Sequence, residues 1–143
     1  MIGTAGKDDY KALIAVWEDS VRATHDFLGE QDIHQFKSLI NKGYCEAASL
    51  TCLRGDSGRI AGFLGVANDN IEMLFVASAY RGRSVGKQLL SYATNTLGVR
   101  KLDVNEQNEQ AVGFYKHLGF VVSGQSPLDG QGNPFPLLHM ELA

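Results

Sequence analysis

The 143-residue chain contains no apolar run near the roughly 20 residues a membrane helix needs, so no membrane span is expected. Its start, Met1 to Tyr10, lacks the basic segment followed by an apolar one that marks a secretory leader, and a cytoplasmic location is expected. Cysteine is scarce: Cys45 and Cys52 are too few for a disulfide framework. The four histidines, His25, His34, His117 and His139, show no metal-ligand spacing with the cysteines or with one another, so no metal is expected. Only 3 prolines, and 16 glycines spread without period, exclude a disordered tail and a collagen-like repeat. What is present, 44% hydrophobic residues in a chain of domain size, is enough to bury one core, and a single domain spanning 1–143 is expected.

Acidic residues are also missing from one long stretch. The net charge of −3 offers a phosphate backbone no global attraction, so a nucleic-acid partner is not expected. Yet from Met73 to Leu102 there is no Asp or Glu, while Arg81, Arg83, Lys87, Arg100 and Lys101 all fall there. All 16 acidic residues lie elsewhere. The bland account of this segment is a solvated basic face; the alternative is a surface built to meet an anion.

Apolar spacing predicts a helix over about 8–23, with Asp8 as its cap, and a second over about 30–42 that carries Ile33, Phe36, Leu39 and Ile40 on one face. The period then changes to that of strands over 48–53, 60–67 and 71–76, the first two joined by a turn-rich hairpin. A helix over 85–97, supported by Leu89, Leu90, Ala93 and Leu97, precedes a short strand over 101–104. A helix over 109–118, with Ala111, Tyr115 and Leu118 on one face and Gly119 as its stop, leads to two last strands, 120–125 and 137–142. This order reads as an α/β or α+β domain with a mixed sheet and about four helices. The exposed terminal strands make a homodimer a reasonable expectation.

The most informative segment runs from Leu74 to Leu90: a strand, a glycine-containing turn with three cations, then a helix. A turn entering a helix offers unpaired backbone N–H groups and the positive end of the helix dipole, a cradle for a diphosphate. The Walker spacing is absent, because Gly82 and Gly86 have three residues between them and Gln88 follows Lys87. The dinucleotide G-x-G-x-x-G spacing is absent too, so a nucleotide-hydrolysing enzyme fails on spacing.

The segment resembles the acetyl-coenzyme A loop of the GCN5-related N-acetyltransferase (GNAT) family, Gln/Arg-x-x-Gly-x-Gly/Ala after a bulged strand. Arg81, Gly82, Arg83, Val85 and Gly86 stand in register with it. Ser84 departs from the usual glycine, and Ala77-Ser78 stands where many members have a proline. Downstream, Leu102 to Phe120 resembles the family's strand-Asn-x-x-Ala-x-x-Phe-Tyr-x-x-x-Gly-Phe signature through Asn108, Ala111, Phe114, Tyr115, Gly119 and Phe120. The wording over 104–115 and over 23–28 resembles a small bacterial subgroup of uncharacterised acetyltransferases.

The resemblance implies a mostly antiparallel sheet with a central pair of splayed parallel strands, 71–76 and 101–104, that holds acetyl-CoA. Backbone groups at Leu74, Phe75 and Val76 would pair with the pantetheine amides and polarise the thioester carbonyl. Arg81, Gly82, Arg83, Ser84, Val85, Gly86 and Lys87 would receive the diphosphate, although the arginines could equally stay solvated. Tyr115 takes the family's general-acid position, giving its proton to the departing thiolate; the competing account is a core aromatic on an amphipathic helix. Asn108 would cap its helix, touch the cofactor, or both. Glu72 is the candidate base, because its place between Ile71 and Met73 points it to the opposite face near the thioester; a solvated strand carboxylate is the alternative. His25 and Asp26, in the loop after the first helix, are candidates for the acceptor cleft, with plain surface residues as the alternative. The expected function is acetyl transfer from acetyl-CoA to a primary amine of a small molecule or protein by direct attack. A non-catalytic acyl-CoA sensor is the alternative.

Overall fold

In the computed structural model, which describes residues 2–24, 29–41, 49–55, 57–67, 69–80, 82–128, 132 and 134–143, seven strands form one sheet. In chain order the described elements are β1 (Ile2–Thr4), α1 (Tyr10–Thr24), α2 (Glu30–Asn41), β2 (Ser49–Arg54), β3 (Ile60–Ala67), β4 (Asn70–Val76), α3 (Val85–Asn95), β5 (Lys101–Asn105), α4 (Glu109–His117), β6 (Phe120–Ser126) and β7 (Leu137–Leu142). The sheet order is β1-β2-β3-β4-β5-β7-β6. Every neighbouring pair is antiparallel except the central β4/β5 pair, which is parallel.

Each face of the sheet buries its own core. Leu13, Val16, Trp17 and Val21 of α1 and Ile33 of α2 follow helical spacing and pack on Leu50, Cys52, Phe63 and Met73. On the other face Val85, Leu89, Leu90 and Ala93 of α3 and Tyr115 of α4 pack on Leu64, Ile71, Leu102, Val104 and Met140. Alternation along β2 and β5 divides their side chains between these faces.

Both N-terminal helices start with the same device. Gly6 N–H donates to Asp9 Oδ2 and Gly29 N–H donates to Asp32 Oδ2, each at 3.0 Å, so a carboxylate three residues in reaches back to the entry. Asp9, not Asp8, therefore does the capping, across a 3-10 turn at Lys7–Asp9. The Arg54 guanidinium, 2.9 Å from Asp9, and the Gly6 N–H hold that carboxyl below its usual range. Helix and strand ends differ from the sequence expectation by one or two residues. Leu97 lies beyond α3 and is 43% exposed, so it does not support that helix. β1 was not expected; three residues are too few to display a period, and it exists because Ile2 and Thr4 pair with Leu53 and Thr51 of β2. Phe36, Leu39 and Ile40 have side chains outside the described residues.

Candidate active site

The site begins where two parallel strands part. The described β4/β5 ladder consists of Asn70↔Lys101 and Ile71↔Leu102, after which the strands diverge. β4 stays paired to β3 on its other side as far as Gly62↔Val76, and Ala77 N–H continues that edge to the Ala61 carbonyl at 2.8 Å. Leu74, Phe75 and Val76 thus present a backbone edge to an open wedge, held rigid from behind, which an extended ligand can join as a strand. Their side chains meanwhile pack into the cores, Leu74 and Val76 on one face and Phe75 on the other.

At the end of β4 the chain makes a 3-10 turn, Ser78–Tyr80, and enters α3. Asp19 of α1 fixes this exit: its carboxylate accepts from Ser78 N–H at 2.7 Å and from Ser78 Oγ at 2.9 Å. Gly82 has φ +76 and open space around its Cα. Ser84, the N-cap of α3, is left-handed at φ 62, ψ 20, and its side chain makes no capping bond. Gln88 N–H donates to the Ser84 carbonyl at 2.9 Å, so the amides of Val85, Gly86 and Lys87 precede the first intrahelical donor and have no intrahelical acceptor. Gly86 lies against Phe114 and Val76, where a Cβ would make ordinary van der Waals contact with Phe114 Cζ at 3.4 Å and Val76 Cγ2 at 3.6 Å. Arg83 and Lys87 are exposed, and the Arg83 guanidinium lies 5.6 Å from the centroid of the Tyr80 ring. Val85 is buried in the core.

Across the wedge, Asn108 is the N-cap of α4, and its Oδ1 accepts from Ala111 N–H at 3.3 Å. Tyr115 projects from α4 into the core and is 7% exposed. Its ring meets Phe114 and Phe120 edge-on at 5.4 and 6.0 Å between centroids. Burial pushes its phenol above the usual tyrosine range, which keeps the proton on the oxygen.

Glu72 sits at the root of the wedge, but not by simple alternation. Gly65 pairs with Met73 and Val66 with Ile71, so Glu72 is an extra residue, a β-bulge. As a result Ile71 and Met73 belong to opposite cores, where unbroken alternation would have put both on one face. The Glu72 carboxyl is raised above its ordinary value, first by burial and also by the nearby Asp103 charge, while a hydrogen bond from Asn70 opposes the rise. Asp103 is the first β5 residue past the last parallel pair, as Glu72 is on β4. It accepts from Asn70 Nδ2 at 3.2 Å and meets His139 Nδ1 at 2.6 Å.

Among the sequence-chosen residues, Leu74, Phe75, Val76, Gly82, Arg83, Ser84, Val85, Gly86 and Lys87 are contiguous along the strand, turn and first helical turn, with Glu72 at the root and Asn108 and Tyr115 on α4. Arg81, His25, Asp26 and Cys45 lie outside the described residues. Asp19, Asn70, Asp103 and His139 were missed. No short spacing in the chain joins them, and only the fold brings their partners near.

A parallel wedge beside a cationic turn that feeds a helix N-terminus suits a thioester on a diphosphate-bearing carrier, with its amide arm added as a strand. That is the architecture of a coenzyme A-dependent acyltransferase. Residues 24–143 match the family model of the acetyltransferase (GNAT) domain. The chain is 37% identical over 133 residues to the peptidyl-lysine N-acetyltransferase YjaB of Salmonella typhimurium, across 93% of this chain and 91% of that protein. The solution structure of apo-form YjaB from Escherichia coli matches with a TM-score of 0.91 at 34% identity, covering 100% of this chain and 97% of that one. A PaiA N-acetyltransferase from Thermoplasma acidophilum, solved in complex with coenzyme A, shares the fold at TM-score 0.73 and 20% identity, over 100% of this chain and 98% of that one. The chain belongs to the GNAT family and is an acetyl-CoA-dependent N-acetyltransferase. The non-catalytic sensor is not favoured.

Proposed function

We propose that this N-acetyltransferase acts on lysine side chains of proteins, in the cytoplasm and as one domain, by direct attack of the amine on bound acetyl-CoA. The observation that carries the reading is the wedge opening directly at Glu72 and Asp103, which sets negative charge where a cationic amine would approach the thioester. The name of the YjaB relatives supports a peptidyl acceptor. An acidic N-terminal half, with 7 basic and 11 acidic residues over 1–72, is consistent with a cationic one.

In this reading the diphosphate rests on the amides of Val85, Gly86 and Lys87 with Arg81 and Arg83 around it, and the pantetheine arm pairs with Leu74, Phe75 and Val76. Glu72 takes a proton from the ammonium, directly or through water, and the amine attacks the thioester carbonyl. A β4 backbone N–H stabilises the oxyanion. Tyr115 protonates the leaving thiolate, and Asn108 sets the α4 terminus that carries Tyr115 to the wedge. Roles in acceptor binding are proposed for His25 and Asp26 from the sequence. No acyl-enzyme is required: Cys52 is fully buried, and burial raises its thiol, so it stays protonated. The test is thiol release from acetyl-CoA over a panel of lysine peptides, free polyamines and α-amino peptides. Preference for lysine peptides supports the reading; release only with small amines sinks the acceptor assignment, and none with any amine sinks the whole.

A further inference from the structure

Beside the acetyl-transfer wedge, and sharing Asp103 with it, three adjacent strands bring together a serine, a histidine and an aspartate on one face of the sheet. Leu102, Val104, Leu138, Met140 and Leu142 enter the core beneath α3 and α4, so alternation sends Asp103 and His139 to the opposite face. The two are paired across the β5/β7 ladder. Asp103 Oδ1 lies 2.6 Å from His139 Nδ1, and His139 Nε2 lies 2.7 Å from Ser126 Oγ at the end of β6. The other Asp103 oxygen accepts from Asn70, which fixes the carboxylate from both ends. The imidazole rests over Gly124, where a Cβ would make ordinary van der Waals contact with its Cδ2 at 3.4 Å. Ser126 remains partly exposed.

The order of contacts decides what this set can do. A carboxylate on Nδ1 fixes that nitrogen as the donor, which leaves the Nε2 lone pair facing the serine hydroxyl as a proton acceptor. With the imidazole neutral, this order makes Ser126 the residue whose proton can be removed. We propose that Ser126 is a nucleophile, activated by His139 and oriented through Asp103, that is acylated by activated acyl donors such as thioesters and aryl esters. Ser126 Oγ bonds to the acyl carbon while its proton passes to His139 Nε2. The bond from acyl carbon to sulfur or aryloxide oxygen then breaks, and the leaving group takes that proton. Water, deprotonated by the same nitrogen, later cleaves the acyl-serine to the acid and restores the hydroxyl.

The experiment incubates the full chain with p-nitrophenyl acetate, and separately with acetyl-CoA without an amine, and follows the acyl adduct by intact-mass and peptide mass spectrometry. The aryl ester is expected to give one acetyl group on Ser126, absent in Ser126→Ala. His139→Gln is expected to slow its formation by about a hundredfold, the usual scale of general-base assistance. Should that variant not fold, Asp103→Asn carries the same expectation: its amide would donate to Nδ1, force the proton onto Nε2 and remove the acceptor. No adduct on Ser126, or equal labelling in folded His139→Gln and Asp103→Asn, overturns the proposal. The aryl-ester arm needs no coenzyme, so its outcome is independent of the acetyl-transfer reading, which fails instead if no amine in the panel releases thiol from acetyl-CoA.

Discussion

The two sides of the wedge are built by different means. On the cofactor side the working groups are backbone amides, laid out by one uninterrupted run from Leu74 to Lys87 with a strand, a turn and a helix start in that order. On the acceptor side they are side chains: Glu72 and Asp103 come from separate strands and are brought near each other only by sheet register. Amide donors tolerate substitution, because any L-residue except proline that keeps the backbone supplies the same N–H. Side-chain clusters do not. Changes on the acceptor side and on α4 should therefore alter turnover, and changes in the turn should alter affinity and stability.

The sharpest test of that division is Tyr115→Phe. The ring contacts with Phe114 and Phe120 survive, so folding and acetyl-CoA affinity by calorimetry should stay near wild type. Turnover in the thiol-release assay is expected to fall by roughly 10²–10⁴, the scale of a lost proton donor. Unchanged turnover would mean that the hydroxyl is only a packed phenol, and the chemistry would have to be sought wholly on the acceptor side.

Glu72→Gln should come next, with turnover down by about a hundredfold. The wild-type acid limb of kcat/KM is expected above the ordinary carboxylate range, because burial and the Asp103 charge raise Glu72, and the variant should lose that limb. Stability should move the other way. A carboxyl whose folded pKa exceeds its unfolded one binds its proton more tightly when folded, so its penalty grows as pH rises through that window and persists above it. The variant should melt higher than wild type at about pH 8, with the difference closing below the ordinary carboxylate range. A lower melting temperature throughout would show that Glu72 is held as a structural charge.

This contrast also governs what the sequence disclosed. The turn with Gly82 and Gly86 and the α4 cap at Asn108 could be read because each depends on neighbours within a few positions; the parting of the strands, which follows the pairing of Ile71 with Leu102, came only through the family resemblance. The face of Glu72 could not: a bulge shifts the phase of a strand without changing its composition, and the Ile-Glu-Met alternation looks regular on paper. Asp19 and Ser78 are 59 residues apart, and Asp103 and His139 36 apart, so no periodicity links them. The cap of α1 was misplaced by one residue because Asp8 and Asp9 are chemically alike; the bonds from Gly6 and Arg54 distinguish them.

Asp19 crosses the divide, since a helix of the acceptor-side face anchors the exit of the cofactor strand. Asp19→Ala leaves Ser78 N–H and Oγ to solvent and frees the turn that precedes α3. Loss of a cap of this kind costs about 1 kcal/mol, which is roughly fivefold in acetyl-CoA affinity if the bound turn bears it all. Calorimetry should show weaker binding with turnover at saturation nearly kept. If affinity is unchanged and only the melting temperature falls, the anchor serves the fold alone.

The smallest expected effect lies in the turn itself. Ser84 holds φ 62 at the N-cap of α3, a left-handed conformation costing an L-residue other than glycine about 1 kcal/mol, and its hydroxyl gives no capping bond in return. Ser84→Gly removes the strain but adds freedom to the unfolded chain, so the net gain should be about 0.5 kcal/mol, a few degrees at most in melting temperature. Ser84→Ala separates the two possible causes, because it deletes the hydroxyl and keeps the Cβ that creates the strain. If the backbone is what matters, glycine stabilises and alanine does not, and cofactor affinity follows the same order because the amides of Val85 and Gly86 set themselves more easily. If alanine binds acetyl-CoA less well than both serine and glycine, the hydroxyl itself contacts the diphosphate, and the cofactor side is less purely a backbone site than its geometry implies.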